Sequence, residues 1–239
     1  MRLDTYLSEH NFYKSRARAA SAIEAGCVRV NGKVMTKCSV PVNDDDLFEC
    51  LPDPIPYVSR GGLKLEGALS KFQIDVHHLH CLDIGSSTGG FTHVLLERGA
   101  SSVTCIDVGR DQLDPVLRQD LRVTLYECTD ARTFRPGVQY AFICMDVSFI
   151  SATQIIETIR TLLTPEGQAV ILIKPQFELG RKALNKNGIV KSKEVGRLCA
   201  QEIATRFCVE GDFILRGIME SPIKGGDGNI EYCAWFCRK

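Results

Sequence analysis

With 239 residues, the chain can hold one large domain or a small module joined to a core of ordinary size, and its 44% apolar content supports a real core. Lys+Arg and Asp+Glu balance at 29 each, so no global charge attracts a polyanion and any basic patch must be local. No apolar run approaches the ~20 residues that span a bilayer, and the N-terminus MRLDTYLSEH is too charged for a signal peptide. The 11 cysteines are odd in number, scattered, and often set inside apolar strands (Cys81, Cys105, Cys144), which suits reduced thiols and a cytoplasmic location. His77, His78, His80 and Cys81 lie on a turn entering a strand, where alternation sends them to different sides, so no metal site is expected.

Residues 1–50 read as a unit of their own. Leu3 and Leu7 lie one turn apart on a short helix, and Ser15 caps a second helix whose apolar face is Ala19, Ala20 and Ile23 and which ends at Gly26. Val28-Arg29-Val30-Asn31-Gly32-Lys33-Val34 alternates around Asn-Gly, the strongest short hairpin signal. Up to residue 40 there are seven basic residues against three acidic ones, most of them on the second helix and the hairpin. A solvated helix face would account for that excess equally well. Pro52, Pro54 and Pro56 cannot lie inside a helix and place a linker at 51–58. The remainder, 59–239, opens with Arg60 and Lys64 at the start of a helix carrying Leu63, Leu65, Ala68, Leu69 and Phe72.

The stretch CLDIGSSTGGFTHVLLERGA, beginning at Cys81, then reads as a buried strand, a small-residue turn over Gly85–Gly90, and a helix start. Such a turn lets a ligand approach the main chain, and the helix terminus adds partial positive charge. A second strand over 103–108 brings Asp107 about 20 residues beyond the turn, where an acid can accept from a ribose diol. The dinucleotide fingerprint wants a glycine where Ser87 stands; Asp83-Ile84-Gly85-Ser86-Ser87-Thr88-Gly89 has the D-x-G-x-x-x-G spacing expected of class I methyltransferases, which bind S-adenosylmethionine. Asp83, Gly85, Ser86, Ser87, Gly89, Gly90 and Phe91 are therefore the expected cofactor turn, with Asp107 and Val108 at the end of the second strand and Asp130 and Ala131 after the third completing the set.

Further strands are expected at 122–128, 140–147, 168–173, 213–221 and 230–237, with helices at 151–163 and 194–208. The fold class is α/β: a class I, Rossmann-like methyltransferase fold with a seven-stranded, mostly parallel sheet whose final hairpin sets one strand antiparallel, preceded by a small α+β domain. Gly225-Gly226-Asp227-Gly228 reads as the hairpin connection, with a phosphate cradle as the alternative. Asp146 closes one strand, Lys174 closes the next and Glu231 opens the last. If that last strand is antiparallel, all three lie on the ligand-binding edge, where Lys64 can join them. Two lysines and two carboxylates would then meet beside the methyl donor.

Two resemblances accompany this reading. Arg2-Leu3-Asp4, Ser15-Arg16-Ala17-Arg18-Ala19 and Gly26-Cys27-Val28-Arg29-Val30-Asn31-Gly32-Lys33 resemble the S4 RNA-binding module. That resemblance implies RNA contacts from Arg2, Lys14, Arg16, Arg18, Arg29, Asn31 and Lys33, to which Arg60 is added as a cation entering the next helix. The Lys64, Asp146, Lys174, Glu231 set is similar to that of FtsJ-like ribose 2′-O-methyltransferases. Ser59-Arg60-Gly61-Gly62-Leu63-Lys64, Ser148-Phe149-Ile150-Ser151, Lys174-Pro175-Gln176-Phe177-Glu178 and Gly228-Asn229-Ile230-Glu231-Tyr232 narrow it to the haemolysin A (TlyA) family. The pattern departs from that family at Asp130, where Asn is usual, and at the charged pair Arg110-Asp111. The resemblance implies methyl transfer to a ribose 2′-hydroxyl of ribosomal RNA, typically at cytidine, with ribosomal RNA or a ribosomal subunit as partner and neither DNA nor membrane. Three rival readings are a membrane-active haemolysin, which would need an apolar span, a basic amphipathic helix or a lipid signal, an RNA-binding protein whose enzyme half has decayed, and a methyltransferase acting on a small molecule or protein, for which an S4-like half makes little sense.

Overall fold

The computed structural model describes residues 1–239 and divides into two compact units, Met1–Ser59 and Arg60–Lys239. In the first, α1 (Leu3–Glu9) and α2 (Arg16–Glu24) pack together beside a three-stranded antiparallel sheet of β1 (Val28–Val30), β2 (Lys33–Met35) and β3 (Phe48–Cys50), in the order β2-β1-β3. Asn31 and Gly32 both take positive φ (50° and 74°), as a two-residue hairpin with right-handed strand twist requires. β3 is not legible in the sequence: three residues after an acidic turn carry too little alternation. The apolar face of α2 uses Ala19, Ala22 and Ile23, all fully buried with Leu3, Leu7 and Val28, while Ala20 is only half-buried.

The expected linker is part of this first unit. The Tyr13 hydroxyl donates to the Leu51 carbonyl at 2.9 Å, Ile55 is buried, and the Arg18 guanidinium pairs with Asp53 at 3.2 Å and donates to the carbonyls of Ile55 and Tyr57. Prolines leave the segment extended, so its carbonyls lack a partner strand and take a side-chain donor instead.

The second unit opens with α3 (Gly61–Phe72) and alternates thereafter: β4 (His80–Ile84), α4 (Gly90–Glu97), β5 (Ser102–Ile106), α5 (Pro115–Arg118), β6 (Val123–Tyr126), β7 (Tyr140–Met145), α6 (Ile156–Leu162), β8 (Leu163–Ile173), α7 (Pro175–Glu178), α8 (Lys193–Glu210), β9 (Phe213–Glu220) and β10 (Tyr232–Arg238). Its seven strands form one sheet in the order β6-β5-β4-β7-β8-β10-β9, with β10 antiparallel to both neighbours and the others parallel. The helix expected over 151–163 splits into a 3-10 turn at Ala152–Ile155 and α6, and β8 starts five residues early, where Leu163 pairs with Tyr140. No helix is long and apolar enough to cross a membrane. No group of three or more His, Cys, Asp or Glu side chains is placed to hold a metal ion; the His77 and His78 rings lie 3.7 Å apart, tilted by 55°, and His80 Nδ1 lies 2.7 Å from the Ser102 hydroxyl.

The chain leaves β4 for one side of the sheet and returns at β7 on the other, so the strand order reverses between them. Ligands of open parallel sheets sit at that reversal, outside the carboxyl ends. Gly85 follows β4 and Asp146 follows β7 at this point, and the Asp146 amide donates to the Ile84 carbonyl at 2.9 Å.

Candidate active site

Four charged side chains distant in sequence meet at this sheet edge. Lys174 Nζ lies 2.6 Å from Asp146 Oδ1, Lys64 Nζ lies 3.6 Å from Asp146 Oδ2, and Lys64 Nζ lies 2.7 Å from Glu231 Oε2. Each arrives for a local reason. Lys64 occupies the face of α3 that buries Leu65, Ala68 and Leu69, and α3 packs on β10. Asp146 and Lys174 are the first residues after apolar strands β7 and β8. Tyr232 pairs with Ile173, so the antiparallel β10 begins where β8 ends and sets Glu231 beside Lys174.

Both lysines are only 8% exposed and Glu231 2%, so these charges exist here because they are mutually compensated. Burial works against the Lys64 ammonium, but Asp146 and Glu231 outweigh it and raise its pKa, which keeps it charged. The remaining acceptors are also served. Gln176 Nε2 donates to Glu231 Oε1 at 3.2 Å, and Lys174 Nζ donates to the Ser148 hydroxyl at 2.8 Å. Neither Gln176 nor Ser148 was given a role from sequence, although both fall inside strings that carry the family resemblance.

A cavity of about 370 Å³ opens beside Asp146, and its wall includes Gly85, Ser87, Asp107, Val108, Asp130 and Ala131 of the expected cofactor set. Ser87 N donates to Asp107 Oδ2 at 2.8 Å and Gly109 N to Oδ1 at 2.7 Å. Gly85 takes φ +81°, and a Cβ on it would lie 2.5 Å from the Asp146 carbonyl oxygen, so the closeness of β4 to β7 admits glycine alone.

Asp83, Ser86, Gly89, Gly90 and Phe91 do not line the cavity. The turn sends them inward. Asp83 is fully buried and accepts from the Thr92 hydroxyl at 2.6 Å, and Ser86 is buried as well. Gly89 (φ +94°) is covered by Leu113 and Leu117, Gly90 is the first residue of α4, and Phe91 is buried. The wall instead takes Gln112, Thr129, Arg132 and the run Val147–Ile150. Arg132 is held by Asp130, whose carboxyl it keeps below the usual range, while the Arg110–Asp111 pair is exposed and away from the wall.

The expected RNA-contacting residues divide similarly. Arg2, Lys14, Arg16, Arg29 and Lys33 are exposed. Arg2 and Arg16 nonetheless share the buried Asp4, at 2.9 and 2.8 Å, and the Arg2 hydrogen bond leads in holding that carboxyl well below its usual range. Arg18 is spent on residues 53–57, as described above. The Asn31 side chain donates to Asp46 Oδ1 at 2.8 Å and accepts from Leu47 N at 2.9 Å, fastening the hairpin tip to the acidic turn. Arg18 and Asn31 are thus committed within the fold, and Arg60 stands half-buried at the N-cap of α3.

The FtsJ-like methyltransferase family model matches residues 57–238, and the S4 domain model matches residues 1–48. This chain belongs to the FtsJ-like methyltransferase family. The 16S/23S rRNA (cytidine-2′-O)-methyltransferase TlyA of Mycobacterium tuberculosis is 37% identical, covering 98% of this chain and 89% of that protein. Hemolysin A of Brachyspira hyodysenteriae is 40% identical over 99% of each. A solved structure of a Streptococcus thermophilus protein that carries the hemolysin name superposes with TM-score 0.78 at 37% identity, covering 100% of this chain and 88% of that one. As an FtsJ-like enzyme with an S4 domain, the chain is a methyltransferase, and the seven-stranded sheet is its methyltransferase core.

Proposed function

We propose that this protein moves a methyl group from S-adenosylmethionine to a ribose 2′-hydroxyl of ribosomal RNA, at cytidine, and does so in the cytoplasm. The observation that carries the reading is the meeting of Lys64, Asp146, Lys174 and Glu231 beside the glycine-turn cavity. The TlyA relative is named for that reaction, and the S4 domain suits an RNA partner. In this reading residues 1–50 grip the RNA, 51–58 connect, and 59–239 carry out the transfer.

The cavity residues suit the donor. Gly85 and Ser87 give the wall small side chains that suit an amino acid passing close to the main chain, and Val108 and Ala131 offer an apolar wall to adenine. Each Asp107 oxygen accepts one backbone N–H, leaving lone pairs for a ribose diol. When bound, S-adenosylmethionine supplies an electrophilic methyl on a sulfonium; the obstacle left to the protein is the weakly acidic ribose hydroxyl.

Lys174 has three ammonium protons, two of them directed at Asp146 and Ser148. The third donates to the attacking oxygen, holds it in line and stabilises negative charge as it develops, while the hydroxyl proton leaves to solvent and the methyl exchanges its bond to sulfur for one to oxygen. Asp146 fixes that ammonium, and Lys64, anchored by Glu231, fixes Asp146. Beside the cavity, Phe149 is 87% exposed at φ +67°, strained for a bulky residue, with its ring 5.1 Å from that of Phe177. An exposed ring in that position offers a face to an unstacked base.

The test is methyl transfer from labelled cofactor to ribosomal subunits, with the labelled nucleotide then mapped. Lys174→Ala is expected to abolish transfer while cofactor binding, followed by calorimetry, survives. Normal turnover in that variant would remove Lys174 from the chemistry. Label on a base, or erythrocyte lysis without any transfer, would replace the reading altogether.

A further inference from the structure

A second cavity, of about 150 Å³, lies at the start of α8. Strand alternation turns Glu231 and Tyr232 to opposite faces of the sheet. Glu231 meets Lys64, whereas the Tyr232 hydroxyl approaches the first turn of α8, 3.8 Å from where a Cβ on Gly196 would stand. Tyr232 is 5% exposed and its hydroxyl has no hydrogen-bond partner. A buried hydroxyl left unpaired is costly and uncommon in native folds.

The surroundings of that hydroxyl favour an anion. Ser192 caps the 18-residue α8 by accepting from Val195 N at 3.3 Å, which leaves the Lys193 and Glu194 amides without an intrahelical acceptor. The helix terminus adds partial positive charge, and Lys193 and Lys224 line the cavity. The nearby carboxylates are already partnered: Glu220 with Lys193 at 2.7 Å, and Glu194 with Arg197. Asn229, buried, accepts from Val190 N at 3.0 Å and donates to the Gly188 carbonyl at 3.1 Å, so the two loops of the rim are tied together. The glycine loop itself is no cradle. Its Gly225 and Gly228 amides donate to the carbonyls of Asn229 and Gly225.

We propose that this cavity binds a phosphate group through the Tyr232 hydroxyl, the first-turn amides of α8 and Lys224. Resting on the RNA reading, the phosphate is one of the RNA backbone, because Tyr232 stands at the same sheet edge as the charged quartet, on the opposite face; a free inorganic anion has the same chemistry.

Two binding measurements on the full chain test this without any methyl transfer, so a failed transferase assay would leave the result standing. One titrates inorganic phosphate against chloride at equal ionic strength and follows the melting temperature. The other measures affinity for a ribosomal RNA fragment across salt concentrations. Tyr232→Phe and Lys224→Gln are each expected to weaken binding at least about fivefold, and Lys224→Gln to reduce the slope of log K on log salt by about 0.9. Loss confined to the RNA arm identifies a backbone phosphate, and loss confined to the phosphate arm identifies a small anion. Lys224 is exposed, so its variant cannot fail merely by unfolding. Unchanged affinity in both arms for either variant overturns the site.

Discussion

Asp83 carries a carboxyl under the glycine turn that accepts from the Thr92 hydroxyl at 2.6 Å. Full burial raises its pKa to about 7, against an unfolded value near 3.8. Between those values the folded chain binds more protons than the unfolded one, so stability falls as pH rises across that window and levels above it. Asp4 acts in the opposite sense. Its depressed pKa contributes stability present above its unfolded value and lost only as pH falls below it, outside the Asp83 window. Urea unfolding from pH 5 to 8 is expected to show a loss on the order of a few kcal/mol, and Asp83→Asn to flatten it. Equal slopes in the two proteins would mean that Asp83 is ionised throughout. In the quartet the residue-scale logic differs, because Asp146 lies between the two buried lysines and pairs with both, and with Glu231 it keeps Lys64 charged.

At the scale of elements, the site depends on one reversed strand and one close approach. Had β10 run parallel to β8, Glu231 would lie at the far edge of the sheet and Lys64 would be a buried charge short of a carboxylate. The close approach is at Gly85. Gly85→Ala must place a Cβ 2.5 Å from the Asp146 carbonyl oxygen while holding φ +81°. It is expected to destabilise the fold by about 2 kcal/mol or more and to push Asp146 off Lys174. Urea denaturation and cofactor calorimetry on the same variant measure both effects, and wild-type values in each would show that β7 yields without consequence. The 3-10 turn ahead of α6 belongs to the same set of supports: Glu178 of α7 accepts from Ala152 N at 2.8 Å and ties that turn to the end of β8.

For the whole molecule, charge is balanced overall, and the first unit is balanced too, since the acidic turn, Glu49 and Asp53 bring residues 1–59 to seven basic and eight acidic. RNA affinity must therefore come from where cations are free to reach phosphate. Lys14 and Lys33 are exposed, whereas Arg18 is occupied within its own unit. Lys14→Ala and Lys33→Ala are each expected to lower the salt slope of RNA binding by about 0.9, with Arg18→Ala leaving it unchanged and instead exposing residues 53–57 to proteolysis. A slope that drops with Arg18→Ala alone would return that guanidinium to the RNA.

The alternation of apolar strands and helices, the glycine turn and the Asn-Gly hairpin were all readable in sequence, because each is a local pattern with a period or a backbone requirement of its own. So were Lys64, Asp146, Lys174 and Glu231, which stand where apolar runs stop or on the buried face of a helix. Three kinds of fact needed the folded chain. The short β3 and the early start of β8 arise from pairing with neighbours, which no window of sequence contains. Which side of the turn faces ligand depends on packing against Leu113 and Leu117, remote in the chain, and that packing removed Asp83, Ser86, Gly89, Gly90 and Phe91 from the cavity wall. Whether a cation such as Arg18 or an amide such as Asn31 is available to a partner turns on which carbonyls and carboxylates the fold has left unpaired beside it, a long-range balance of hydrogen bonds that composition does not record.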